Sequence, residues 1–241
     1  MSDFRQPFAE MLAALQGRLA NQIPTERWTD LMHNAHDRAF VVAGAMEGDL
    51  LADLASAVED AITEGKSIDA FRDEFDDVVE QHGWDYRGER RWRTRVIYQT
   101  NMSTSYASGR LAQLKDPELL EVAPYWMYRH GGSADPRPHH LSWDGIVRRH
   151  DDPWWQTHYP PNGWGCSCYV IAVSRAQAER MGGRFEEPPP DDPGAIDRGW
   201  DYMPGQSVAD ELREVVDQKA LDLPEPLAEA FIERMRERDR P

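Results

Sequence analysis

The chain has 241 residues, 43 acidic against 27 basic side chains, a formal charge of -16 and 40% apolar residues. Acid in this excess excludes a general nucleic-acid coat, since Lys and Arg supply most non-specific phosphate affinity. Only two cysteines are present, no apolar run reaches the ~18 residues of a membrane span, and Met1 to Gln22 lacks the basic start and apolar middle of a signal peptide. A chain made in the cytoplasm, with no membrane partner and a core of one large or two small domains, is the expectation.

Apolar residues recur at three- and four-residue spacing through the first 88 residues, which predicts a helical N-terminal region. Phe8, Met11, Leu12, Leu15 and Leu19 form the first stripe, and Trp28, Leu31, Met32 and Ala35 form another after Pro24. A third runs from Leu50 to Ile62 and closes at Gly65. Ser67 then caps a helix carrying Ile68, Phe71, Phe75, Val78 and Val79, ended by Gly83.

A central module is predicted over 89–184, beginning with a long helix from about Glu89 to Lys115 that stops before Pro117. Thr100, Asn101, Ser103, Thr104, Ser105, Ala107, Ser108 and Gly109 are small or polar where a surface helix carries Glu and Lys. Close packing against a sheet, or a binding surface, accounts for such a stretch. Pro124 to Arg129 and Tyr169 to Val173 suit strands, and Ser174 with Gln177 makes a capping box for a helix after the second. The Gly- and Pro-punctuated loop between the strands is long enough to be functional or tied down. Residues 185–241 read as a linker followed by an acidic helical tail, with helices over Ser207 to Lys219 and Pro226 to Arg238. The fold class is therefore α+β.

Charge is unevenly placed: 1–88 carries a net -11, 89–150 a net +4 and 151–241 a net -9. DNA contact is thus restricted to the centre, where Arg90, Arg91, Arg93 and Arg95 cluster at the start of the long helix. At that end they oppose the helix dipole, so they serve pairing with the acidic N-terminal helices, a partner, or phosphate.

Both cysteines lie in PPNGWGCSCYV, Pro160 to Val170. Cys166 and Cys168, with His139, His140, His150 and His158 close by in sequence, offer the soft sulfur and imidazole ligands of zinc, His140 being the favoured histidine. Cys-x-Cys is narrower than ordinary zinc-knuckle spacing, and the alternative is a pair of buried apolar thiols. A nucleophilic reading takes either thiol with His140 as base and Asp144 as orienting group.

FVVAGAMEGDLL (Phe40 to Leu51), GKSIDAFRDEF (Gly65 to Phe75), WRTRVIYQTNMSTSYASGR (Trp92 to Arg110), PYWMYRH, RPHHLSWDG (Arg137 to Gly145) and DDPWWQTHYPPNGWGCSCYV (Asp151 to Val170) together resemble the phage head morphogenesis family, in particular Mu F-like minor head proteins. The resemblance implies a non-enzymatic component of a tailed phage or prophage, made in the host cytoplasm and ending in the virion. It implies action in head assembly with the portal protein and other head proteins as partners. Asn101 and Arg110 on the long helix, His140, Asp144 and Gly145 in the loop, and Cys166 and Cys168 at its end are the motif positions it carries over. Many relatives have Arg or Lys between the cysteines, where Ser167 stands here. Two other readings remain open from the residues: a zinc- or thiol-dependent hydrolase of virion assembly, and a DNA-associated virion protein that travels with the genome. If Asn101 and Arg110 face the loop, Asn101 and Asp144 would satisfy its irregular backbone.

Overall fold

Three of the predicted apolar stripes become helices: α1 (Ala9–Leu19), α2 (Gly48–Thr63) and α3 (Ile68–His82). The computed structural model describes residues 8–186, 188 and 193–209. From residue 210 onward, the expected acidic tail helices lie outside the described residues. Gly65 and Gly83 take left-handed φ of +66° and +59° behind α2 and α3, which a β-carbon would strain, and the Ser67 hydroxyl accepts from the Ala70 N–H at 3.2 Å.

The Trp28 to Ala35 stripe is not an α-helix. Only a 3-10 turn forms, at His33–Asp37, and Trp28 is 41% exposed. Asp30 offers a reason: one carboxylate oxygen accepts from the N–H groups of Glu26 and Arg27, both at 2.9 Å, giving the backbone a turn in place of helical bonds.

The long helix α4 (Arg90–Leu114) is followed by α5 (Pro117–Val122), β1 (Tyr125–Arg129), α6 (Pro138–Ser142), β2 (Val147–Arg149), α7 (Trp155–His158), β3 (Tyr169–Val173) and α8 (Arg175–Arg180). The strands make one antiparallel sheet in the order β2-β1-β3, with Met127 opposite both Val147 and Ile171. Ser174 and Gln177 form the expected capping box of α8, with bonds of 3.2 and 2.8 Å.

The small polar stretch of α4 packs against α1 rather than against a sheet. At Gly109 a β-carbon would stand 2.8 Å from the Met11 Cα and 2.7 Å from the Glu10 carbonyl carbon, so the two backbones touch there. Beside this contact the buried Arg18 of α1 donates to the Thr104 hydroxyl at 2.7 Å, the Asn101 carbonyl at 3.3 Å and the Ser105 hydroxyl. Burial pushes its guanidinium pKa down to about 10, which still leaves it charged at neutral pH. Asp37 faces the same region and accepts from the Gly205 N–H at 2.7 Å and the Ser207 hydroxyl at 3.1 Å, drawing the chain after Met203 onto Ser108. Gly109→Val is expected to cost about 3 kcal/mol, the upper part of the overpacking range. A lower urea midpoint at unchanged slope would show it. A midpoint equal to the parent's would contradict the contact.

Two apolar cores share α4. Leu54, Phe71 and Phe75 pack with Ile97 and Met102 from its first half. Trp126, Trp143, Trp155, Cys166 and Cys168 pack with Leu111 and Leu114 from its second.

Candidate metal centre

Cys166 and Cys168 stand two residues apart on the run that leads from the turn at Gly163 into β3, and both side chains are buried on one face of it, toward the second core. That face meets α6, and His140 Nδ1 lies 3.5 Å from Cys166 Sγ and 3.8 Å from Cys168 Sγ. All three ligand atoms fall within 4.8 Å of one another and all three residues are buried. The other ring nitrogen, His140 Nε2, donates to the Ala195 carbonyl at 3.1 Å, which leaves Nδ1 with its lone pair toward the sulfurs. A fixed tautomer with two sulfurs in front of it is the arrangement a soft divalent ion requires.

The two thiols are electrostatically unlike. The hydrogen bond from Cys168 holds the Cys166 thiol well below the ordinary range, against its burial and with help from the Asn162 backbone. Cys168, the donor to that bond and itself buried, is pushed far up. Burial likewise raises Tyr128, whose hydroxyl sits by Cys168 and donates to Asn162 Oδ1 at 3.0 Å. Asn162 is fully buried and anchors the Pro160-Pro161 turn, a cis peptide, by donating to the Thr157 carbonyl at 3.1 Å.

Aromatic rings fix the imidazole from behind. Trp143, one helical turn after His140, stacks on it with ring centroids 5.2 Å apart and 20° between planes. Tyr128 meets Trp143 edge-on at 5.7 Å and His158 meets it at 4.9 Å. On the other side, Gly131 lies so close to Ser167 that a β-carbon would collide with that residue's carbonyl. A narrow crevice reaches the cysteines from α4, lined by Ser103, Tyr106, Arg110 and Tyr159.

Asp144 and Gly145 shape the loop rather than the cluster of His140 and the two cysteines. The Asp144 carboxylate accepts from Arg129 Nε at 3.0 Å and from the His130 N–H at 2.8 Å, closing the end of β1. Gly145 turns the chain into β2 at φ +84° and donates its N–H to the Tyr128 carbonyl at 2.9 Å. So Asp144 satisfies loop backbone as expected, but the orienting position offered to it in a thiol triad is filled by the Ala195 carbonyl. Asn101 departs from expectation: its amide donates to the Ile97 carbonyl of its own helix at 2.9 Å, at the α1 interface and away from the loop. Arg110 does border the loop, bonding Gln113 at 2.7 Å beside the crevice.

The arginine cluster divides. Arg90 pairs with Asp76 of α3 through bonds of 2.7 and 2.8 Å, and Arg93 is buried, donating to the Ala43 carbonyl with Trp84 5.1 Å away. Arg91 and Arg95 stay exposed beside Trp92, itself 49% exposed. Among the histidines, His150 lies 6.3 Å from Trp126 and His158 stacks on Trp154 at 4.3 Å. Among the described residues only His140 joins the cysteines. Sequence reasoning missed Asn162, Trp143, Gly131 and the Ala195 carbonyl. Gly131 and Asn162 stand among turn residues, and no spacing marks a carbonyl 55 positions from the histidine it orients.

Comparison with known proteins gives a match of residues 52–171 to the family described as Phage Mu protein F like protein. The chain is 34% identical over 172 residues to "Putative capsid assembly protein F" of Escherichia phage Mu, covering 66% of this chain and 39% of that protein. It is 34% identical over 168 residues to the Mu-like prophage FluMu F protein of Haemophilus influenzae, covering 66% of this chain and 40% of that protein. The matches thus span about two fifths of the length of these curated relatives. No solved structure matches the chain.

Proposed function

The chain belongs to the phage Mu protein F-like family through residues 52–171, and on that premise we propose that it is a non-enzymatic minor head protein of a tailed phage or prophage, acting in capsid assembly by contacts at the portal vertex. The observation that carries this reading is the 34% identity over 172 residues to a phage Mu protein named for capsid assembly. The family match over residues 52–171 takes in α4, β1, β2, the loop with both cysteines and most of β3, so what is shared is a packed unit and not a short motif. Its partners are the portal protein and other head proteins, met in the host cytoplasm and retained in the virion. Among the described residues no helix is long and apolar enough to cross a membrane.

Removing the coding segment from its phage and inducing the lysate tests the role. Loss of infectious, DNA-filled heads under the electron microscope is expected, and normal heads would overturn it. Cross-linking of assembling heads addresses the portal contact, which fails if only other head proteins are captured. A thiol-dependent hydrolase is the second reading, favoured by the depressed Cys166 thiol beside His140. It requires head maturation to stop in Cys166→Ser with the protein still incorporated. DNA binding would fall to Arg91 and Arg95, and a salt-dependent gel shift abolished by reversing their charge would support it.

A further inference from the structure

We propose that His140 Nδ1, Cys166 Sγ and Cys168 Sγ bind one zinc ion, completed by a solvent-derived ligand from the crevice beside Arg110. The distances suit it. Zn–S bonds of about 2.3 Å and Zn–N bonds of about 2.0 Å in a tetrahedron set the sulfur–nitrogen separations at about 3.6 Å. The separations here are 3.5 and 3.8 Å.

Charge and hardness choose the ion. Two thiolates neutralise a dication, so the filled centre would carry no net charge into a buried site. Magnesium and calcium seek oxygen ligands, and the group has no carboxylate. The Ala195 carbonyl on Nε2 is the outer bond that metal-bound histidines require. Trp143 stacking holds the ring plane, so the ligand set is in place before an ion arrives.

Such a centre would fasten α6 to the run that enters β3 and, through Ala195, hold the segment after α8. It accounts for a buried Cys-x-Cys and histidine within a long irregular loop. It rests on side-chain geometry alone and stands whether or not the chain acts in head assembly.

The full chain, purified under reductant and stripped with a chelator, is titrated with zinc chloride. Uptake of one zinc per chain is expected, with both thiols then protected from dithionitrobenzoate, and with no uptake of magnesium. Cobalt(II) in place of zinc should give a thiolate-to-metal charge-transfer band. Cys166→Ser, Cys168→Ser and His140→Gln should each lose stoichiometric zinc, while His33→Gln, at a histidine bonded to Asp201 on the surface, keeps it. Should those variants not fold, the unmodified chain decides. Thiols equally reactive with and without zinc, or a cobalt complex lacking the sulfur band, would overturn the site.

Discussion

Arg18→Ala is expected to lower the free energy of unfolding by about 3–5 kcal/mol, the cost of removing one member of a buried charged network. The substitution opens space between α1 and α4 and strips a charged donor from Thr104, Ser105 and Asn101. It also leaves Asp37 without the nearby positive charge that offsets its burial, which already holds that carboxyl above its ordinary value. Because replacing a whole buried pair by neutral groups is often benign, Arg18→Met with Asp37→Asn should recover much of the loss. Urea unfolding of Arg18→Met, Asp37→Asn and the double forms a cycle that isolates the coupling. Additive single effects, or an Arg18→Ala loss under about 1 kcal/mol, would show that no such network operates.

Trp143→Ala should be equally severe, at about 3–5 kcal/mol, since the side chain is 1% exposed and the cavity it leaves cannot fully collapse. Its second effect is local. Without the indole plane, His140 loses its stacking partner and the two thiols lose the nitrogen in front of them. Thiol reagents should therefore reach Cys166 faster in Trp143→Ala than in Trp143→Phe, which keeps an aromatic face. Equal rates in both, together with parental stability, would mean that the indole does not set the histidine.

Much of the fold was legible because its signals are local. The α2 stripe, the Ser67 cap, the glycines at 65 and 83 and the Ser174 to Gln177 box each depend on residues within one or two turns. The Trp28 stripe failed for the same reason in reverse, because a carboxylate two residues away holds the local backbone N–H groups in a turn. The odd composition of α4 was visible, but its partner was not. That a buried arginine 86 positions earlier sits on Thr104 is a fact of topology, and no periodicity carries it. At the candidate centre the two cysteines and His140 could be picked by residue chemistry. The support around them could not, since Trp143, Gly131 and a backbone carbonyl act through shape.

One helix, α4, belongs to both cores, and its 25 residues extend about 37 Å at 1.5 Å per residue. A shared wall of this kind makes the two halves thermodynamically interdependent. Melting either core strips the apolar flank of the same rod, so denaturation should proceed as a single cooperative event with one heat-absorption peak. By the same logic, a chain severed just before Arg90 would leave one piece missing the rod its core packs on and a second whose rod has its first half bare.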